Sequence, residues 1–423
     1  MNSKYRRFDM AKEPRRTSWY LWPLTILLSM PAVIKHRAKL KKTGMEGIKP
    51  PYILLCNHNS FIDFKVATKA IFPHRANYVV AIDGFIGRQW LMRRVGCICK
   101  RKFTSDVRLI RQLAKTIAHG DIAVIYPEAR YSLCGTTAVL PESLGKLCKL
   151  LAVPVVTLIC HGHHVTQPFW NLHERGVHPT MAEMTRLFTV NELKETPLQS
   201  INRRIVESFR YDDFAWQKEQ GIRVEYKGRA EGLHKVLYQC PACGTEYAMS
   251  TRGALITCGH CGKSWEMTEL GELRASEGET EFSHIPDWYE WERANVRKEV
   301  EEGRYSTGEL EIHVNTLPNA VKFRKLGNGT LVHDMDGFHV HGIEPDGEPF
   351  EMEIPPSAMY SCHIEYEYLG KFGDCIDLNT LEDTWYIYPH GNQFAVTKIA
   401  LATEELYFAY RRAVGRPCEP GLA

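Results

Sequence analysis

Apolar runs in the first half of the chain are short, continuous and separated by amphipathic stretches. Residues 52–56 (Tyr52-Ile53-Leu54-Leu55-Cys56), 77–82, 122–126 (Ile122-Ala123-Val124-Ile125-Tyr126) and 153–159 carry no charge, the pattern of strands buried on both faces. Between them, Val107, Ile110, Ala114 and Ile117 fall at helical spacing, with Ser105 placed to cap that helix and Gly120 to end it. Met184, Leu187 and Phe188, then Ile201, Ile205 and Phe209, predict further helix over 180–220. Strand–helix alternation of this kind predicts an α/β unit over 47–233 with a largely parallel sheet and a site at the C-terminal ends of its strands.

The texture changes after residue 233. Residues 234–273 hold paired cysteines, and 274–304 form a charged linker in which Pro286 opens a helix through Trp288 and Trp291. From 305 to 415 the chain breaks into short β segments: 309–314, 320–325, 330–333, 337–342, 349–354, 360–368, 375–378 and 385–388. Gly327-Asn328-Gly329 and Pro345-Asp346-Gly347 read as turns between them, and a helix is expected over about 393–412. Short strands closed by one C-terminal helix resemble a pleckstrin-homology-type barrel, a module that docks lipid or protein.

Residues 1–46 carry eleven Lys or Arg against three acids, whereas the formal net charge of the 423-residue chain is only +3. Between the two basic clusters lie sixteen uncharged residues, 19–34, with Trp19, Tyr20 and Trp22 at one edge and Pro23 and Pro31 within. As a helix this run reaches about 24 Å, short of the roughly 30 Å hydrocarbon core. Basic flanks and an aromatic edge predict an interfacial or re-entrant anchor on an anionic leaflet, at the cytoplasmic face of a membrane and monotopic or peripheral. A buried core helix is the competing reading. A secretory signal is disfavoured by the long charged approach and by the lack of a small-residue cleavage site.

Candidate chemistry sits directly after the first strand, in Asn57-His58-Asn59-Ser60-Phe61-Ile62-Asp63. Imidazole takes a proton from an alcohol near neutral pH, and a carboxylate behind it fixes the tautomer and stabilises the imidazolium. Five residues on a regular helix turn through about 500°, so His58 is expected in the strand-to-helix turn with Asp63 folding back from the first helical turn. Ser60 and Asp63 also fit a capping box, which would make both merely structural. Further along, Gly96 precedes Lys100-Arg101-Lys102, and the strand 122–126 runs into Pro127-Glu128-Ala129-Arg130-Tyr131-Ser132.

In order and spacing these blocks resemble the glycerolipid acyltransferases of the lysophosphatidate (1-acylglycerol-3-phosphate) acyltransferase type. Asn57, His58, Ser60 and Asp63 match the first block, Gly96 and Arg101 the second, Pro127, Glu128 and Ser132 the third, and Val153-Pro154-Val155 the fourth. The third block departs from the family pattern: Ala129 replaces a Gly, Arg130 stands one place early, and Tyr131 takes the customary Arg position. A shift by one residue at a turn can reverse a side chain's direction. The resemblance covers roughly residues 45–165. It implies that His58, oriented by Asp63, activates the hydroxyl of a (lyso)glycerol-phosphate, taking lysophosphatidate to phosphatidate, for attack on an acyl-CoA, acyl-carrier protein or related donor. It further implies that Arg101 binds the phosphate and that Glu128 and Arg130 help bind the acceptor. Lys100 and Lys102 are the further cations to assist, but adjacent side chains on an extended segment point to opposite sides, which leaves at least one of the three solvated. An ion pair of Glu128 with Arg130 is the structural alternative. His161, His163 and His164, clustered after the last strand, could bind a metal or face the acyl site, but the reading preferred is that of ordinary surface or core histidines.

Four of the 13 cysteines form Cys240-Pro-Ala-Cys243 and Cys258-Gly-His-Cys261. Two CxxC knuckles separated by 14 residues, each followed by Gly (Gly244, Gly262), look like a zinc ribbon in which four thiolates hold a structural Zn²⁺. The other nine cysteines follow no pattern, which points to a reducing compartment. No nucleic-acid partner is expected, because Arg252, Lys263 and Arg274 are balanced by Glu246, Glu266, Glu269 and Glu272. Two function classes remain: a membrane-associated acyltransferase whose partners are a phospholipid surface and an acyl carrier, and an inactive scaffold that recruits lipid or protein through its ribbon and β-rich region.

Overall fold

The computed structural model describes residues 6–370, 372–416, 418, 421 and 422. Residues 1–5 of the basic N-terminal region and residue 371 of the β-rich region lie outside the described residues.

The uncharged runs of the first half become the centre of a seven-stranded sheet. Its strands are β1 (Lys39–Thr43), β2 (Ile53–Cys56), β3 (Ala76–Ala81), β4 (Ile98–Lys100), β5 (Ile122–Ile125), β6 (Val155–His161) and β7 (Met181–Phe188), in the order β1-β7-β6-β2-β5-β3-β4. All pairings are parallel except β6 with β7, which is antiparallel. Helices α1 (Trp22–Lys35), α2 (Ile62–Ile71), α3 (Gln89–Arg94), α4 (Val107–Ala118), α5 (Ser143–Leu151), α6 (His163–Thr166), α7 (Val190–Glu195), α8 (Leu198–Ser208) and α9 (Asp213–Glu219) surround it. The side-chain period of two splits β2 between two cores: Leu54 and Cys56 pack with Val66, Ala67 and Ala70 of α2, while Ile53 and Leu55 pack with Leu113, Leu144 and Ile205 of α4, α5 and α8.

Two expectations for this half are corrected. Residues 181–188 form strand β7 rather than helix, with Ala182 and Met184 buried on one face. The pattern there is period two over a short span, which a helical reading of Met184, Leu187 and Phe188 overlooks. Helix α4 is capped by Asp106, whose side chain accepts from the Arg108 N–H, and not by Ser105. It buries Gln112, Leu113 and Thr116, leaving Val107 exposed. The reason is an N-terminal strap over this face: Gln112 Nε2 donates to the Met10 and Lys12 carbonyls at 2.9 and 2.8 Å. Arg16 pairs with Asp121 through Nε and Nη2 at 2.9 and 2.8 Å, so this part of the basic region is bound to the α/β unit.

The cysteine-containing unit is a four-stranded antiparallel sheet of β8 (Met249–Arg252), β9 (Leu255–Cys258), β10 (Ser264–Met267) and β11 (Leu273–Ala275). Helix α10 (Ile285–Glu301) follows, with Pro286 in its first turn. A second seven-stranded sheet then forms from β12 (Leu310–Thr316), β13 (Arg324–Asp334), β14 (Gly337–Ile343), β15 (Pro349–Ile354), β16 (His363–Glu365), β17 (Cys375–Asn379) and β18 (Thr384–Pro389), backed by α11 (Val396–Ala413). Its pairings are all antiparallel, and its order, β15-β14-β13-β12-β18-β17-β16, is open at both ends rather than closed into a barrel.

Gly327-Asn328-Gly329 is not a turn, and the separate strands expected at 320–325 and 330–333 do not form. A single strand, β13, runs through it. A Cβ at Gly327 would stand 2.1 Å from the Ile343 carbonyl oxygen, and one at Gly329 1.9 Å from that of His341. Both glycines permit close backbone approach inside the sheet. The cysteine-containing sheet, α10, the second sheet and α11 share one continuous apolar core with Phe103, Leu133, Val165, Phe169 and Trp170 of the first half. The C-terminal half is thereby packed against the loops that follow β4, β5 and β6.

Candidate active site

The turn after β2 brings His58 and Asp63 together. His58 Nδ1 lies 3.2 Å from Asp63 Oδ2, and the same oxygen accepts the Asn59 and Ser60 N–H groups at 2.6 and 2.9 Å. Asp63 therefore both ties the turn ahead of α2 to the first turn of that helix and faces the imidazole. The two sequence readings describe one side chain, although Ser60 takes no part as a cap because its buried hydroxyl has no partner. Asp63 is 1% exposed. Burial alone would lift its carboxyl, but hydrogen bonds from His163 and then His58 hold it down at about 2.

Glu128 supports the turn from below. Its Oε1 accepts the His58 N–H at 3.0 Å and its Oε2 the Ala138 N–H at 2.8 Å. Burial pushes this carboxyl up to about 8 against the lowering effect of those two N–H groups. The ion pair with Arg130 that stood as the structural alternative is not the contact that forms. Ala129 adopts a positive φ of 55° at the turn, the region Gly favours, and the residues after it diverge. Tyr131 turns toward the site, its ring centroid 4.2 Å from that of His58, while Tyr126 lies 4.3 Å away. Arg130 turns away, and its Nη2 donates to Glu404 Oε1 of α11 at 2.8 Å. Glu404 also accepts Arg293 at 2.6 Å and the Ser361 hydroxyl at 2.7 Å.

The cations after β4 are placed differently from the sequence expectation. Arg101 is 1% exposed, and its fork enters the second sheet. Nη1 donates to the Leu317 carbonyl and Thr384 Oγ1 at 3.1 and 2.6 Å, and Nη2 to the Glu382 and Pro318 carbonyls at 2.8 and 3.4 Å. A guanidinium bonded to four protein oxygens is not presented to a substrate phosphate. Lys100 donates to the Thr104 carbonyl at 2.6 Å, and burial lowers its ammonium to about 8. Lys102 lies 3.6 Å from Asp83 and 3.5 Å from Asp377. Neither Arg101 nor Arg130 could be assigned to the second half from sequence, because their partners lie some 200 residues or more further along the chain.

His163, set among the ordinary histidines in the sequence, belongs to the site. It is fully buried, and its Nδ1 is 2.5 Å from Asp63 Oδ1. Asp213 holds its turn by accepting the Gly162 and His164 N–H groups at 3.0 and 2.7 Å, and burial lifts Asp213 to about 7. Nothing in the spacing separates His163 from His161 and His164. The ring of Phe169 covers Tyr131 at 5.5 Å and meets Tyr366 of the second half at 5.4 Å, which carries the aromatic lining across to the C-terminal sheet.

The four knuckle cysteines converge apart from this centre. The sulfurs of Cys240, Cys243, Cys258 and Cys261 lie within 4.8 Å of one another, with Cys240–Cys261 and Cys243–Cys258 separations of 3.8 Å. Sulfurs bound to one ion at about 2.3 Å in a tetrahedron stand about 3.8 Å apart, so this donor set fits a tetrahedral metal.

Residues 36–161 match the family model described as acyltransferase, a span that includes His58, Asp63, Arg101 and Glu128. The α/β unit of the first half is thus similar to the acyltransferase family over that span. A search of curated proteins finds no match. Among solved structures, the crystal structure of the 1-acyl-sn-glycerophosphate (LPA) acyltransferase PlsC from Thermotoga maritima is similar over 45% of this chain and 77% of that one, at 14% identity and a TM-score of 0.38.

Proposed function

We propose that this acyltransferase domain moves an acyl chain from a thioester donor, acyl-CoA or acyl-carrier protein, to the hydroxyl of a membrane glycerolipid, with lysophosphatidate the first acceptor to test. The observation that carries the reading is the 3.2 Å approach of His58 Nδ1 to the buried Asp63 carboxylate. With Nδ1 facing Asp63, Nε2 is the nitrogen left to act as base. It takes the acceptor's hydroxyl proton as the oxygen attacks the thioester carbonyl. The C–S bond then breaks, and the proton passes from Nε2 to the departing thiolate. No acyl-enzyme is required, because the acceptor is itself the nucleophile.

A phosphate-bearing acceptor reaches Arg101 only if the second sheet releases that side chain. The occupation of Arg101 and Arg130 by the C-terminal half also favours a second reading, an acyltransferase-like scaffold. Incubation of the purified full chain with labelled acyl-CoA and lysophosphatidate separates the two. Transfer by wild type that is lost in H58A supports the enzyme. A wild-type rate in H58A overturns His58 as base, and no transfer to any lysolipid or glycerol phosphate supports the scaffold.

The membrane assignment rests on α1. Among the described residues no helix is long and apolar enough to cross a membrane. Leu27, Leu28 and Ile34 are nonetheless 66%, 67% and 66% exposed, and Trp19 is 75% exposed, beside Lys35, Arg37 and Lys39. An apolar helix face rimmed by cations suits a monotopic or peripheral seat on an anionic, cytoplasmic leaflet. Flotation with anionic vesicles, lost in an L27E/L28E variant, tests it. The ribbon's Cys240, Cys243, Cys258 and Cys261 are proposed to hold one structural Zn²⁺, leaving no open position for metal catalysis.

A further inference from the structure

We propose that His163 is a positioning residue for Asp63, so that the carboxylate behind the base is held between two imidazoles rather than paired with one. The inference rests on the reading of His58 as base and extends it to a residue outside the motif blocks. Asp63 receives its donors unequally. Oδ2 accepts His58 Nδ1 and the Asn59 and Ser60 N–H groups, whereas Oδ1 accepts His163 Nδ1 at 2.5 Å. No other hydrogen bond to Oδ1 is present among the described residues, so His163 alone fixes the far side of the carboxylate.

The surroundings of His163 are built for this one contact. Its ring is fully buried, and Nε2 has no hydrogen-bond partner, so the imidazole is retained at the expense of an unsatisfied nitrogen. Gly162, at a φ of 83°, lets the chain turn from β6 into α6 directly beneath Trp216, where a Cβ would stand 2.7 Å from the indole. Asp213 then grips the N–H groups on both sides of His163. The Nδ1–H of His163 is thereby aimed across the sheet end from β6 to the helix that follows β2.

The other ionisable groups around Asp63 are Cys56, Tyr126, Glu128, Tyr131, Cys160, His164, Tyr211 and Asp213. None of the eight donates a hydrogen bond to either Asp63 oxygen. Loss of the His163 donor concentrates charge on Asp63, which strengthens its hold on the His58 imidazolium. His58 then releases its proton at higher pH, and the acid limb of the kcat profile moves upward.

The test compares H163A with H163N in the full chain. Asn places its amide nitrogen near the position of Nδ1 and keeps a donor to Oδ1. In H163A the His58 signals in ¹⁵N-histidine NMR, identified by their absence from H58Q, are expected to titrate at higher pH than in wild type, with H163N returning them toward the wild-type midpoint. Acyl transfer by H163A is expected to lose about tenfold or more in kcat with KM little changed. A merely structural His163 would lower thermal stability without moving the titration. An unchanged His58 midpoint in H163A therefore overturns the proposal. If H163A does not fold, H163Q, whose amide lies one bond too far, takes its place in the comparison. A moved midpoint in a protein that transfers no acyl chain would uphold the positioning of His58 and refute the enzyme reading instead.

Discussion

Replacing Arg101 by Ala separates two roles for this residue that predict opposite signatures. The family resemblance makes it a phosphate ligand; the geometry makes it a latch between the first sheet's unit and the second sheet. Three of its four bonds are 3.1 Å or shorter, to Thr384 Oγ1 and the Leu317 and Glu382 carbonyls. A hydrogen bond from a charged donor contributes about 1.5–3 kcal/mol. Simple addition overstates the total, because the buried cation has lost its hydration and its Nε finds no partner. Leaving a buried acceptor without its donor costs about 1–3 kcal/mol, so a destabilisation of roughly 3 kcal/mol is expected for R101A. R101K, with one ammonium in place of a fork, should fall between the two. Urea unfolding followed by tryptophan fluorescence measures the loss. Trypsin supplies a local readout at Lys322, which lies just after the Leu317 and Pro318 carbonyls released by the substitution. R101A should be cut there faster than wild type under native conditions. A stability within about 0.5 kcal/mol of wild type, together with a large rise in KM for lysophosphatidate, would refute the latch and restore Arg101 to the substrate.

Glu128 carries a pH dependence of stability. Its carboxyl is raised from 4.5 to about 8 by burial, so the fold favours the protonated form. That contribution is complete below about pH 4.5 and is lost as pH rises through about 8, at up to about 1.4 kcal/mol per pH unit. E128Q should flatten the decline in unfolding free energy between pH 5.5 and 8.5, and parallel slopes for the two proteins would contradict it. At α11, E404Q removes the carboxylate that accepts Arg130, Arg293 and Ser361, with an expected loss of about 3–5 kcal/mol. A double-mutant cycle with R130M should show coupling, and strict additivity would mean that Arg130 does not depend on Glu404. For the ribbon, the full chain should contain one zinc per molecule, removable by a chelator with a fall in Tm. C258S should lose that metal, and a metal-free wild type from zinc-replete culture would count against the site.

Residues close in sequence determined much of this protein by themselves. The uncharged runs at 52–56 and 122–126 could only be satisfied inside a sheet, and the turn after β2 folds Asp63 back to His58 within five residues. The two CxxC knuckles likewise bring each pair of sulfurs together through local turn geometry. Period and spacing are enough where a contact closes within one turn or one strand. Tertiary structure decided the rest. Two of the glycines read as a turn at 327–329 are needed where strands approach too closely for a Cβ, and only the neighbouring strand reveals that. Arg101 and Arg130 found their oxygens more than 200 residues away, and His163 reached Asp63 from 100 residues along the chain. A buried charge takes whichever partners the packing of distant elements supplies, and those partners leave no mark on the pattern around the charge itself.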